Sequence, residues 1–314
     1  MSTGVETVNG ASMTTTEPMI SLVMGTFRRS AELEPMLRSL LAQTNHNFEL
    51  IVVDQNPDDR VVPLLEPLAR AGLTVRHLRQ ARPNLSAARN LGLDNARGNL
   101  IAFPDDDCWY EPDVIELALA HFGASPRSDG IAAHWVELDP RGTRPARALS
   151  PEQWRKFKGG DGTSFTLFFR TGKLRSLGGF DETLGTGQWF GCGEETDLIF
   201  RLLEAGATIN YLPTVHIHHP HDETQKLTRS QCRRNRLYGR GTGALLAKHR
   251  LPLWVVGRGL IGPLVQTARS ANPAAGLVLA SCTILGRVEG LGGWYLWGGR
   301  QSQSRAFQPK NSAS

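Results

Sequence analysis

Four apolar runs of about six residues each, separated by helix-length segments, constrain the fold of this chain more than any other feature. They are Met19–Met24 (MISLVM), Glu49–Asp54 (ELIVVD), Leu73–Leu78 and Asn99–Pro104 (NLIAFP). Runs this short read as buried strands. Behind Ser30, the residues Leu33, Met36, Leu37, Leu40 and Leu41 fall at i, i+3, i+4, i+7 and i+8, the stripe of an amphipathic helix. Asp59–Ala71 reads as a weaker helix broken by Pro63 and Pro67, and Ser86–Ala96 as a third helix. Strand and helix alternating in this way predict a parallel sheet with helices on both faces. Open sheets of that kind bind ligands beyond the carboxyl ends of their strands. Thr26, Arg28, Asp54 and Asp105–Asp107 stand at such ends.

The second half is less regular. Pro112–Phe122 reads as a helix, Ile131–Leu138 and Ser164–Phe169 as strands, and Asp139–Gly162 as a loop. Gly178–Gly193 reads as a long glycine-rich loop, of the kind that is usually functional or mobile. Glu194–Gly206 reads as a helix and Thr208–Leu212 as a short strand before His216, His218, His219 and His221. The expected organisation is a disordered arm over 1–17, a catalytic domain over 18–222, a basic and partly apolar helical extension over 223–300, and a disordered tail over 301–314.

Charge divides the chain in the same place. From Lys226 onward there are fourteen Lys and Arg against one acid, Glu289, which is +13. The preceding residues carry twenty-one basic against twenty-nine acidic side chains, which is −8, and the two parts sum to the net +5. An acidic body with a basic extension points to an anionic partner for the extension. With 40% apolar and 21% charged residues, the composition excludes wholesale disorder. The four cysteines are scattered without a CxxC pair, which argues against a zinc site or a disulfide framework and favours a reducing compartment. The polar N-terminus carries no charged-then-apolar signal.

Four clusters carry chemistry. In extended chain, Asp105 and Asp107 point the same way and can share a divalent cation; Asp105–Asp107 could equally be a solvated acidic turn. Glu194, Glu195 and Asp197 open a helix, where acids compensate the dipole or serve as a general base. The run from His216 to His221 offers a metal ligand or ordinary surface histidines. Arg89, in the first turns of a helix, suits a diphosphate or is a plain surface arginine.

The order of these pieces resembles the family 2 glycosyltransferases of the A-type fold. Strand-TFRR, strand-VVD, RPNLSAARN, strand-PDDD, GGFDE, GEETDL-R and P-x₄-H follow one another over about Met19 to His221. The resemblance implies a single Rossmann-like nucleotide-sugar-binding domain. It implies that Thr26, Arg28 and Asp54 hold the base and ribose, that Arg89 touches the diphosphate, and that Asp105, Asp106 and Glu194 line the donor site. Asp105 and Asp107 with His218 (or His219) would bind Mg²⁺ or Mn²⁺, and Glu195 would be the catalytic base. Three departures stand out: Asn84–Leu85 where a Gly is usual, Pro104 before the aspartates, and Glu195 where Asp is frequent.

The reaction so implied is inverting transfer of a sugar from a nucleotide-diphosphate sugar to a hydroxyl of a glycan or lipid-linked acceptor, in cell-surface polysaccharide synthesis. Trp189, in the glycine-rich loop, would wall the acceptor or be plain core. In the extension, the apolar stretches 251–256 and 276–285 fall short of the ~20 residues of a spanning helix. With interspersed arginines and terminal Trp294, Tyr295 and Trp297, they read as an interfacial anchor on anionic lipid, or as helices packed on the domain. The expected location is cytoplasmic, peripheral at the inner face of the membrane. A nucleotidyltransferase shares the sheet and paired aspartates, but MGTFRR is no lysine-bearing phosphate loop. A nucleic-acid-binding protein would use the basic extension, but the acidic body repels phosphate and no reading motif is present. A nicotinamide dehydrogenase lacks its GxGxxG.

Overall fold

A computed structural model describes residues 6–7, 19–157, 162–221, 227–267 and 272–298. The expected arm over 1–17 and tail over 301–314 lie almost wholly outside the described residues. The strands are β1 (Glu6–Thr7), β2 (Ile20–Thr26), β3 (Phe48–Asp54), β4 (Thr74–Arg79), β5 (Leu100–Ala102), β6 (Trp109–Tyr110), β7 (Gly130–Trp135), β8 (Arg147–Ala148), β9 (Leu167–Arg170) and β10 (Ile209–His218). The helices are α1 (Glu34–Leu41), α2 (Val62–Arg70), α3 (Leu85–Asn95), α4 (Val114–Ala124), α5 (Pro151–Arg155), α6 (Thr171–Ser176), α7 (Glu194–Glu204), α8 (Arg229–Lys248), α9 (Leu253–Thr267) and α10 (Pro273–Gly293).

All but β8 follow one path across a single sheet, ordered β1-β4-β3-β2-β5-β9-β7-β10-β6, with β8 beside β10. β4, β3, β2 and β5 are parallel, as the alternation predicts. The sheet as a whole is mixed: β9 runs antiparallel between β5 and β7, and β6 runs antiparallel to β10. Helices cover both faces. On one face Leu33, Met36, Leu37 and Leu40 of the first helical segment pack with α2 and α4, whereas Leu41 remains exposed. On the other face α3 and α7 pack with Leu246, Leu251 and Val255, so the start of the C-terminal extension belongs to this second core.

Several expected boundaries move. α2 keeps Pro67 inside the helix; Leu65 and Leu68 bury its inner face, while Pro63 and Pro67 lie on the exposed side. The expected loop over 139–162 contains α5, whose N-cap Ser150 accepts from the Gln153 amide and whose first residue is Pro151. β10 runs on to His218, with an irregularity between Leu212 and His216 that accommodates Pro213.

The described residues of the extension form α8, α9 and α10 with short connections. α8 and α10 run side by side in close backbone contact. A Cβ at Gly243 would come within 2.1 Å of the Arg287 carbonyl oxygen, one at Gly286 within 2.1 Å of that of Arg236, and one at Gly290 within 1.9 Å of that of Arg240. Only glycine permits so close an approach, a packing mode shared with membrane helices. Helical structure continues through Trp297, so Pro273–Trp297 is 25 residues long, with a mean hydropathy of 1.4 over its most apolar stretch. The sequence reading ends the apolar run before Arg287; by length and composition alone this helix can cross a membrane, and 22% of that stretch is buried in the protein.

Candidate functional site

Just beyond β5 the chain turns at Asp106 and Asp107, with the Cys108 amide donating to the Asp105 carbonyl, so the aspartates stand in the acidic turn that was the alternative to extended chain. Asp106 is buried, and Asp105 and Asp107 are half-buried. Asp106 accepts from Thr26 Oγ1 at 2.7 Å and from Arg29 Nη1 at 2.5 Å. Burial pushes its carboxyl up to about 6, against the pull of Arg29. Thr26 and Asp106, both expected to touch the donor, therefore hold each other. Arg29 also reaches Asp107 Oδ2 at 2.6 Å, which makes it a compensating cation for the aspartate cluster. Arg28, the arginine singled out from the sequence, has a left-handed backbone (φ 60°); its amide donates to Asn56 Oδ1 and its side chain is exposed. That backbone turn sends Arg29 rather than Arg28 toward the carboxylates.

Asp105, Asp107 and His219 each bring one ligand atom within 4.8 Å of the others. His219 Nδ1 donates to the Pro220 carbonyl at 2.9 Å, its ring stacks on Phe165 at 4.6 Å, and Nε2 faces Asp107 Oδ1 at 3.1 Å. A histidine whose Nδ1 is tied to a carbonyl presents Nε2 as a metal ligand does. Two carboxylates and an imidazole fit Mg²⁺ or Mn²⁺. Burial opposes charge on His219, but Asp107 outweighs it and raises the pKa.

His218, placed in the ligand set from the sequence, is corrected by this geometry. Its Nδ1 contacts Glu137 Oε1 at 2.7 Å and its Nε2 contacts Glu111 Oε1 at 3.0 Å, with the ring stacked on Trp109. Adjacent strand residues face opposite sides, so only one of the two histidines reaches the aspartates.

Arg89 also departs from its expected role. Its side chain is 2% exposed, with Nη1 donating to Glu194 Oε1 at 2.9 Å and Nη2 to Asp105 Oδ1 at 3.0 Å. Both ends are engaged, so it ties the aspartate cluster to the first turn of α7 instead of standing open to a diphosphate. Asn84, at the departure from the usual Gly, is the N-cap of α3: its side chain accepts from the Ala87 amide and its own amide donates to Gln55 Oε1.

Asp54 is fully buried. It accepts from the amide and side chain of Asn56 and faces His77 at 3.0 Å and Arg79 at 3.1 Å. Burial opposes its charge, but His77, Asn56 and Arg79 prevail and keep its pKa below the usual carboxylate range.

α7 begins after Gly193, whose φ of 98° lies in the left-handed region and whose Cβ, if present, would meet Leu245 at 2.7 Å. Glu195 stands half-buried in the first turn, pushed up to about 8 by burial and then by the charge of Glu194. Asp197, wholly buried two residues further in the same turn, is enclosed by cations: Lys248 Nζ at 2.7 Å, Arg201 Nε at 2.8 Å and His249 Nε2 at 2.9 Å. Burial opposes its charge, but Lys248, Arg201 and His249 hold it well below the usual carboxylate range. Lys248 also reaches Asp181 at 2.5 Å. The end of α8 is thereby fastened to the helix that carries Glu195. Lys248 and His249 escape sequence reading because they lie about fifty or more positions from Asp197 and Asp181, whereas Arg201 stands one helical turn from Asp197.

The loop 178–193 is pinned, not loose. Asn90 bonds the Phe180 carbonyl and amide, Ser86 Oγ donates to the Leu184 carbonyl, and the Leu85 amide donates to that of Thr186. Trp189, 37% exposed, meets Trp297 at 4.6 Å and Phe190 at 4.9 Å, with the Arg240 guanidinium 4.5 Å from its ring centre. It joins the loop to the extension.

A curled, mixed sheet flanked by helices, with acidic side chains beyond the carboxyl ends of its parallel strands, is the A-type glycosyltransferase fold. The solved structure of a mannosyltransferase from Pyrobaculum calidifontis, in complex with GDP-mannose and Mn²⁺, superposes with a TM-score of 0.60 at 15% identity, covering 90% of this chain and 88% of that one. S. aureus TarS (residues 1–349) superposes at 0.54 and 15% identity, over 92% and 93% of the two chains. Glycosyl transferase family 2 matches across residues 21–177, and the chain belongs to that family. A putative glycosyltransferase of Bacillus subtilis, EpsH, is 34% identical over 106 residues, 34% of this chain and 31% of that protein. The pre-mycofactocin glycosyltransferase of Mycobacterium tuberculosis is 30% identical over 219 residues, 63% of this chain and 43% of that one. The chain thus spans less than half the length of either relative.

Proposed function

We propose that the protein transfers a sugar, with inversion, from a nucleotide-diphosphate sugar to a hydroxyl of a glycan or lipid-linked acceptor in cell-surface polysaccharide synthesis. The observation that carries this is the linkage Asp107–Asp105–Arg89–Glu194, which sets the candidate cation ligands beside the helix turn bearing Glu195. Asp105, Asp107 and His219 would hold Mg²⁺ or Mn²⁺. A divalent cation there supplies positive charge to the leaving diphosphate.

Glu195 takes the proton of the acceptor hydroxyl as its oxygen attacks the anomeric carbon. The bond from that carbon to the diphosphate breaks on the opposite face, and the nucleoside diphosphate leaves. With its carboxyl raised to about 8, Glu195 holds a proton at neutral pH and accepts that of the acceptor only once it is ionised, so transfer should rise with pH through that range. Arg28, exposed just beyond β2, would meet the donor's base and ribose, and Trp189 would wall the acceptor. The matched mannosyltransferase with GDP-mannose and Mn²⁺ supports the donor class.

The basic extension, with exposed Leu253, Trp254, Ile261 and Val265, supports a peripheral position on the inner face of the membrane. The test is nucleoside diphosphate release from a panel of nucleotide sugars, with Mg²⁺ or Mn²⁺ and after chelation. Release from at least one donor, lost on chelation and in Glu195→Ala, is expected. Release unaffected by either would refute the reading.

A further inference from the structure

A cavity of about 320 Å³ lies between α8, α9, α10 and the end of α5. Leu246, Val255, Pro263 and Phe157 form apolar wall, and the charged lining consists of two arginines, Arg258 and Arg287. No carboxylate lines it among the described residues. Arg287 donates through Nη1 to the Gly259 carbonyl, while its buried Nε has no hydrogen-bond partner among the described residues. Burial lowers its pKa, outweighing the opposing effect of the Cys192 thiol. Arg258 donates to the backbone carbonyls of Lys156 and Phe157. Three arginines at the candidate site and α7 are matched by carboxylates, Arg29 by Asp106 and Asp107, Arg89 by Asp105 and Glu194, and Arg201 by Asp197, whereas half-buried Arg170 and Arg175 donate to backbone carbonyls as Arg258 does. A guanidinium sunk in an apolar cavity with an unused donor selects an anion.

The same helices add a second requirement. Ile261 and Val265 on α9 are 60% and 55% exposed, and Leu285 and Val288 on α10 are 47% and 52% exposed. An anion that arrives with an apolar tail satisfies both the arginines and these side chains; a free anion satisfies only the first.

We propose that this cavity receives the phosphate of an anionic phospholipid, with Arg258 and Arg287 on the phosphate and the acyl chain against α9 and α10. The proposal rests on the membrane-surface reading above and gives it a specific binding site.

Two measurements on the full chain separate the site from that reading. The first is cosedimentation with phosphatidylcholine vesicles with and without phosphatidylglycerol. The second is thermal stabilisation by a short-chain phosphatidylglycerol kept below its micelle concentration, with inorganic phosphate as the parallel probe. Wild-type protein is expected to bind only the anionic vesicles and to be stabilised by the monomeric lipid more than by phosphate. Arg287→Met and Arg258→Met should each weaken both by about tenfold. Arg97→Met, which removes an equal charge from an exposed position elsewhere, should change neither by more than about twofold. Melting of each variant without lipid checks that it folds, and Arg287→Lys should retain part of the binding.

Vesicle binding equally weakened by Arg97→Met, or unchanged in both cavity variants, overturns the site while leaving membrane association standing. Monomer binding without vesicle binding supports the site and removes the membrane reading. Equal stabilisation by inorganic phosphate, or failure of the monomeric lipid to bind, overturns the proposal.

Discussion

Arg89 is the most exacting test of how the site is held together. Its guanidinium is 2% exposed and bridges Asp105 and the buried Glu194, 105 positions away in the chain. Arg89→Met keeps much of the volume and removes the charge. Two carboxylates then face each other in low dielectric with Asp107 and Glu195 nearby. Removing one partner of a buried ion pair costs about 3–5 kcal/mol. At about 2–4 °C per kcal/mol for a domain of this size, the melting temperature should fall by roughly 10 °C. Thermal unfolding followed by circular dichroism measures the loss. Neutralising one carboxylate as well should return part of it, so Arg89→Met/Glu194→Gln is expected to melt above Arg89→Met alone. A single variant melting within about 1 °C of wild type, or a double variant that melts lower still, would refute the claim that this arginine fastens β5 to α7.

Other outcomes follow from the same geometry. Glu195→Gln should lower transfer by about 10²–10⁴-fold with little change in donor affinity, measured by single-turnover assay and by donor titration. His219→Ala should raise the Mn²⁺ concentration needed for half activity by about tenfold or more, whereas His218→Ala should change it by no more than a few-fold. Lys248→Met removes a cation from Asp197, whose native pKa is depressed. Such a carboxylate stabilises the fold above its unfolded pKa near 3.8 and loses that contribution as pH falls, so the acid-unfolding midpoint of Lys248→Met should move to higher pH. Gly290→Ala places a methyl within 1.9 Å of the Arg240 carbonyl oxygen and should cost about 1–3 kcal/mol in urea unfolding, with separation of α8 from α10.

Much of this architecture is legible in the residue pattern because it is local. The apolar runs and their period set β2 to β5, and the last of those runs puts Asp105–Asp107 just past the carboxyl end of β5. Where local rules lose their phase, the reading drifts. The irregularity between Leu212 and His216 breaks the two-residue alternation of β10, so sequence parity cannot say whether His218 or His219 faces the aspartates. The left-handed backbone at Arg28 has the same effect, turning Arg29 inward. The antiparallel insertion of β9 and the clasp of Lys248 and His249 on Asp197 depend on contacts between distant segments. The length of α10 was obscured by Arg287 and Glu289, whose charges interrupt the apolar run without interrupting the helix.

In the function proposed above, Asp105, Asp107, His219 and Glu195 together perform glycosyl transfer. Its most direct test is nucleoside diphosphate release from a panel of nucleotide sugars, run in parallel on wild type, Asp107→Asn and Glu195→Gln, with Mn²⁺ and after chelation. Release by wild type that depends on the cation and collapses in both variants is expected. Release that persists in Glu195→Gln, or after chelation at the wild-type rate, would contradict the account.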